Sequence, residues 1–238
     1  MENIEKNEDI DSDVRNQLAL ALDVDDLVAG VRLARELQPY FAVLKIGLEL
    51  YSAAGPEVIG TFQQIGYKIF LDLKLHDIPN TVHRAAKVLG SLGVNYLTLH
   101  TAGGREMTAA GVEGLLEGAR NAGIGSPAAL GVTILTSDPT SDDSLMKERI
   151  QVAKDSGCTG LVCSALDLPI VTSEAPDLLA VVPGIRPSGV EAHDQKKVST
   201  PSEALSKGAG LLVIGRAVTQ AEDPATAARE IYAELADS

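Results

Sequence analysis

Tryptophan is absent from the 238-residue chain, phenylalanine occurs three times and cysteine twice. Without large aromatic side chains, any core must be aliphatic, and the 45% hydrophobic fraction is ordinary for a globular protein. Cys158 and Cys163 form no Cys-x-x-Cys pair, which argues against a structural zinc site; two free thiols fit a reducing compartment. Positive charge is scarce: 20 Lys and Arg stand against 33 Asp and Glu, a formal net charge of −13, and Lys and Arg form no basic run. That excludes the basic footprint of a nucleic-acid binder. A small anionic ligand stays possible, because a local positive pocket can exist inside an acidic whole. No apolar run reaches the roughly 18 residues of a membrane span. The acidic stretch Met1–Asn16 lacks the apolar segment of a secretory signal. The expectation is a cytoplasmic protein with an acidic extension over residues 1–16, a loose arm or a first helix, and a single domain over 17–238.

From Asn16 onward, short apolar runs alternate with amphipathic or Ala-rich segments. Leu18–Leu22 stops at Asp23, Phe41–Leu44 at Lys45, Tyr67–Leu71 at Asp72 and Val94–Leu99 at His100. Gly131–Leu135 stops at Thr136, Gly160–Cys163 at Ser164, Leu179–Val182 at Pro183 and Leu211–Ile214 at Gly215. Continuous apolar runs suit parallel strands covered by helices on one side and a packed interior on the other. Helices are predicted over Asp26–Leu37, Gly55–Gly66, Pro79–Leu92, Gly103–Ala122, Asp143–Ser156, Ser202–Lys207 and Pro224–Leu235. The repeated strand–helix unit predicts an α/β protein, a closed (β/α)8 TIM barrel. The alternative, an open doubly wound sheet, lacks a Gly-x-Gly-x-x-Gly turn after the first strand. In a barrel the residues that stop the runs line the C-terminal mouth. Polar residues commonly end strands, but Asp23, Lys45, Asp72 and Lys74 together are costly to desolvate without a use.

The most informative stretch is Asp72-Leu73-Lys74-Leu75-His76-Asp77-Ile78-Pro79-Asn80-Thr81-Val82. Residues two apart on a strand share a face, so Asp72 and Lys74 point together, about 6–7 Å apart along the backbone. The flanking leucines then face the helical layer. Asp77 lies in the loop before the next helix, where an isolated Asp reads as a helix-terminal charge; the preceding Asp-x-Lys favours a part in the site. A Lys between carboxylates stays protonated and is oriented to donate. A carboxylate fixed beside it repels a substrate's anionic group. The pattern suits chemistry in which an anionic group departs and a carbanion-like centre takes a proton. Barrel phosphate sites commonly use the loops after strands seven and eight. Here these carry Pro183-Gly184-Ile185-Arg186 and Gly215-Arg216, a close-approach glycine beside a bidentate donor.

The eleven-residue stretch resembles the signature of the orotidine 5'-phosphate decarboxylase family. The resemblance runs from Leu18 to Ile231 and includes Leu20-Ala21-Leu22-Asp23, Lys45-Ile46-Gly47, His100–Gly104, Leu135-Thr136-Ser137, Pro183–Pro187, Asp194-Gln195 and Ile214-Gly215-Arg216. It implies a cofactor-independent, metal-free decarboxylase of orotidine 5'-monophosphate with a catalytic Lys45–Asp72–Lys74–Asp77 array. Lys74 would protonate C6, Asp72 would oppose the substrate carboxylate, and Lys45 with Asp23 would hold the ribose. Thr136 would contact the pyrimidine, with Pro183, Arg186, Gln195, Gly215 and Arg216 at the phosphate end. The family's shared-site arrangement implies a homodimer in which Asp77 and Thr81 serve the neighbouring subunit's site. Arg186–Val198 reads as a lid. His76 and His100 are as well explained by structure as by catalysis, His83 and His193 as solvated, and Cys163 as core. The competing readings are a Mg²⁺-dependent sugar-phosphate decarboxylase of the 3-keto-L-gulonate 6-phosphate type and a non-catalytic nucleotide-binding barrel. The second predicts loss of Lys74 or a partner, and none is lost.

Overall fold

The computed structural model describes residues 12–135, 138, 142–186 and 199–236. Eight parallel strands close on themselves in sequence order, with β1 (Leu18–Leu22) paired to both β2 (Val43–Ile46) and β8 (Leu211–Ile214). Between them run β3 (Lys68–Leu75), β4 (Tyr96–His100), β5 (Ala128–Val132), β6 (Gly160–Val162) and β7 (Leu179–Pro183). The expected (β/α)8 barrel is therefore the fold, and the open sheet is excluded.

The helices lie outside. A short α1 (Ser12–Asn16) precedes the barrel and buries Val14. Then come α2 (Leu27–Leu37), α3 (Leu48–Ala54), α4 (Glu57–Ile65), α5 (Pro79–Ser91), α6 (Gly104–Ala122) and α7 (Asp143–Asp155). α8 (Leu168–Glu174), α9 (Pro201–Ser206), α10 (Arg216–Thr219) and α11 (Pro224–Ala236) complete the layer. Local chemistry sets several starts. Asp26 and Asp142 cap α2 and α7 by accepting from the Ala29 and Leu145 N–H groups, both at 2.7 Å. Pro79 opens α5, where its missing N–H costs nothing. The short α3, α8 and α10 were not predicted; each is seven residues or fewer, too short to show a helical period.

Two apolar clusters follow from the strand period of two. One, between barrel and helices, holds residues such as Leu20, Leu44, Leu71 and Leu97; Leu73 and Leu75 pack against it. The other fills the barrel with Ala19, Ala21, Val43, Phe70, Leu130, Val181, Leu211 and Val213. All three phenylalanines, Phe41, Phe62 and Phe70, are fully buried. Three strands differ most from expectation. β2 and β3 do not stop at Lys45 and Asp72 but carry both inside the ladder, because inward-pointing charge does not interrupt backbone pairing. β5 lies three residues earlier than predicted: Ala128 pairs with Tyr96, and Gly131 sits where a Cβ would fall 2.9 Å from that of Ala153 on α7.

The helices that follow β3 and β4 meet backbone to backbone. A Cβ on Gly114 or Gly118 of α6 would strike the His83 or Lys87 carbonyl oxygen of α5, and one on Gly90 of α5 would strike that of Leu115. Lys87 and His83 reach across this seam to Glu117, at 2.6 and 3.4 Å, so His83 is paired rather than solvated. Gly→Ala in a helix interior ordinarily stabilises by about 1 kcal/mol. Gly114→Ala is expected instead to cost about 1–3 kcal/mol by overpacking. Urea unfolding reads the sign, and a stabilised Gly114→Ala would contradict the close seam.

Candidate active site

The site grows from the inward faces of the strands. Two residues beyond the buried interior layer, the same face carries Asp23 after Ala21, Lys45 after Val43 and Asp72 after Phe70. Likewise Pro183 follows Val181 and Gly215 follows Val213. Period two thus converts a filled core into a polar mouth. A cavity of about 250 Å³ opens there. Asp23, Lys45, Asp72, Lys74, Arg186 and Arg216 all line it, as do Pro183 and Gly215. Four cations therefore face two carboxylates, a positive pocket in a chain of net charge −13. Phe70 forms part of the floor, with its ring centroid 5.9 Å from that of Tyr96.

Asp72 is the hub. Its Oδ2 lies 2.8 Å from Lys74 Nζ and 3.7 Å from Lys45 Nζ, and Lys45 also reaches Asp23 Oδ1 at 3.1 Å. The side chains of Lys45 and Asp72 are only 12% and 14% exposed. At that depth an ion pair differs from its surface counterpart: deleting one partner of a buried pair costs about 3–5 kcal/mol by stranding the other charge. Gly47 keeps the corner open, since a Cβ there would lie 3.2 Å from Asp23 Oδ1 and 3.3 Å from Lys45 Nζ. At the far side, Gly184 has φ +79°, the left-handed region that glycine adopts without strain. It turns the chain so that Arg186, 5% exposed, sits in the cavity wall.

Asp72 and Lys74 do point together, but not along a regular strand. β3 and β4 pair Leu71 with Leu97 and then Leu75 with Leu99, so three β3 residues stand opposite Thr98 alone. Lys74 has φ +49°, and among the described residues no other non-glycine has positive φ. Thr98, completely buried, donates its hydroxyl to Asp72 Oδ1 at 3.0 Å and accepts the Lys74 N–H at 2.8 Å. Thr98 was not singled out from sequence. Its only signal there is a hydroxyl on the inward face of a strand that is otherwise apolar until His100.

Asp77 stands apart. It is exposed, accepts the Ile78 N–H at 2.7 Å, and lines a separate cleft with His76, Pro79, Gly103 and Glu106. Thr81 is exposed in the first turn of α5, and Ile78 between them is 66% exposed. Thr136 and Gln195 lie outside the described residues, as do His193 and residues 187–198 of the lid expectation. Leu135, Ile134 and Cys163 line the cavity without having been assigned to it. Burial, with the Asp167 carboxylate nearby, pushes the Cys163 thiol up to about 12. It is thus a neutral wall group rather than a nucleophile. Among the described residues no cluster of three or more His, Cys, Asp or Glu is placed to hold a metal ion. No helix among them is long and apolar enough to cross a membrane.

His100 ends β4, accepts the Ala102 N–H at its Nδ1 at 3.2 Å and stacks on His76 with ring centroids 5.6 Å apart. Burial above all, then the charges of His76, Arg149 and Lys74, holds its imidazole below the usual value. The unfolded chain accepts this proton first, at about pH 6.5. Stability linked to neutral His100 is therefore present above that pH and lost as the pH falls through the folded value. His100→Gln is expected to lose less stability than the unmodified protein between about pH 7 and 5. Urea midpoints measured across that range check this, and a steeper loss in His100→Gln would refute it.

Barrel and mouth together define a class: a (β/α)8 enzyme that works with a lysine–carboxylate network above an apolar floor and beside two arginines. Comparison with known proteins narrows it. The sequence profile described as "Orotidine 5'-phosphate decarboxylase / HUMPS family" matches residues 16–231, and the chain belongs to that family. The orotidine 5'-phosphate decarboxylase of Moorella thermoacetica is 39% identical over 233 residues, covering 93% of this chain and 92% of that one. That of Paramagnetospirillum magneticum is 42% identical over 231 residues, 92% of this chain and 98% of its own. The crystal structure of the Lactobacillus acidophilus orotidine 5'-phosphate decarboxylase superposes with a TM-score of 0.80 at 35% identity, over 92% of this chain and 99% of that one. By family the protein is an enzyme, a decarboxylase of pyrimidine biosynthesis.

Proposed function

We propose that the chain converts orotidine 5'-monophosphate to UMP and carbon dioxide without a cofactor, with Lys74 as proton donor. The observation that carries this reading is the Asp72 carboxylate, pinned between Lys45 and Lys74 at the floor of a cavity whose far side holds Arg186 and Arg216. The arginines take the phosphate, Asp23 and Lys45 the ribose hydroxyls, and Thr136 and Gln195 the pyrimidine and phosphate. Pro183 and Gly215 shape the wall. Binding energy gained on phosphate and ribose then places the substrate carboxylate against Asp72. The C6–carboxylate bond breaks, carbon dioxide departs, and the electron pair stays on C6. The Lys74 ammonium stabilises the developing charge and gives C6 a proton; solvent reprotonates the neutral amine.

The active unit in this reading is a cytoplasmic homodimer built from the domain over residues 17–238, with 1–16 as an extension. Asp77 and Thr81 complete the partner subunit's site. Their exposure beside Ile78, outside their own cavity, supports that exchange. A Mg²⁺-dependent sugar-phosphate decarboxylase of the same superfamily is separated by substrate and by chelation. Loss of orotate absorbance is expected on addition of orotidine 5'-monophosphate, at full rate in excess EDTA; no turnover rejects the reading.

Lys74→Ala is expected to lower kcat by at least about 10²-fold, the usual size of a general-acid contribution. Asp77→Asn is expected to be similarly impaired. Mixed Lys74→Ala/Asp77→Asn dimers should regain activity, because one of the two sites then holds both native side chains. Verified mixed dimers with no recovery would reject the shared site.

A further inference from the structure

The bulge in β3 raises a question that the proposed chemistry does not answer: what holds a lysine in a left-handed backbone conformation within a strand. Non-glycine residues in that region carry strain and persist only where the surroundings over-determine them. Lys74 is also out of step with the ladder, since β4 offers one residue, Thr98, against Asp72, Leu73 and Lys74. Its N–H donates to the Thr98 hydroxyl at 2.8 Å.

The direction of the next bond is dictated by chemistry. A backbone N–H can only donate and an ionised carboxylate can only accept. The Thr98 hydroxyl, receiving from Lys74, must therefore send its own hydrogen to Asp72 Oδ1, 3.0 Å away. Asp72 in turn receives the Lys74 ammonium on Oδ2 at 2.8 Å. The result is a closed ring that begins at the main chain of Lys74, passes through Thr98 and Asp72, and ends on the tip of the same lysine. Thr98 is wholly buried, so water does not compete for either bond. Both carboxylate oxygens of Asp72 are thereby committed, one to each end of Lys74, and the carboxylate plane is set.

We infer that Thr98 is a positioning residue for the reaction, setting the reach and orientation of the Lys74 ammonium from both ends of that side chain. Thr98 is not among the residues that line the cavity, whereas its partners Asp72 and Lys74 are. The inference rests on the reading of Lys74 as proton donor and adds the element that makes its geometry reproducible. Thr98→Val keeps the shape and removes the hydroxyl, leaving the Lys74 N–H unpaired and one Asp72 oxygen free to rotate. Thr98→Ser keeps the hydroxyl.

The test compares the two with the unmodified protein by kinetics, UMP affinity, thermal unfolding and crystal structure. Thr98→Val is expected to lose about 10²-fold in kcat, the scale of a roughly 1 Å misplacement of a reacting group. UMP affinity should stay near that of the unmodified protein, because the arginine end of the cavity is untouched, and Thr98→Ser should restore most of the rate. In the Thr98→Val crystal structure Lys74 should leave its left-handed conformation or its contact with Asp72. The inference is overturned if Thr98→Val keeps its kcat, if Thr98→Ser is as impaired as Thr98→Val, or if UMP affinity falls in step with kcat. It is equally overturned if Thr98→Val and Thr98→Ala both fail to fold, since the hydroxyl then serves the fold. Absence of turnover by the unmodified protein rejects the proposed function instead. The crystal structure then decides alone, and an unmoved Lys74 would dispose of the positioning role.

Discussion

Everything at the barrel mouth turns on one carboxylate. Asp72 sits at low exposure between two ammonium groups, 2.8 Å from that of Lys74 and 3.7 Å from that of Lys45, and its removal would take a carboxylate from both. Coulomb attraction at about 4 Å is worth several kcal/mol where the effective dielectric is near 20, enough to favour this close clustering. The same pairing keeps Lys74 aimed, which is what the proposed proton delivery requires.

The barrel supplies this arrangement cheaply because its interior and its mouth are the same strand faces read at successive heights. Ala19, Val43 and Phe70 fill the centre, and Asp23, Lys45 and Asp72 stand above them without any change of backbone direction. Where a regular strand would not suffice, the chain departs from it. β3 gains two residues relative to β4, and the outlying lysine is stitched back by a buried threonine. The glycine seam between α5 and α6 lies directly behind these two strands, so the helices that follow them are locked at backbone distance. Placement of charge and rigidity of scaffold are thus properties of one sector of the fold.

Charge works on two scales. The acidic exterior repels anions only weakly beyond a Debye length of about 8–10 Å at ordinary salt. The cavity brings Lys45, Lys74, Arg186 and Arg216 within reach of one small molecule. A ligand with an anion at each end, one facing arginines and the other facing the lysine–carboxylate network, fits this division of labour better than a neutral one.

Much of this was legible in the chain. The eight apolar runs, their polar stops and the Asp-x-Lys doublet identified the barrel and most of its mouth, because strand period and hydrophobic burial are local properties that a sequence carries openly. Other features depend on pairing across strands or on space between helices. The register of β5 was set by Tyr96 and by the room Gly131 leaves for α7. Thr98 gained its importance only when the β3 bulge delivered Asp72 and Lys74 to it. Asp77, close to Lys74 in sequence, was carried to a different cleft by the turn into α5. Residue types and their alternation determined which groups face the cavity; which of those groups touch was decided by contacts between segments distant in the chain, and no local pattern encodes them.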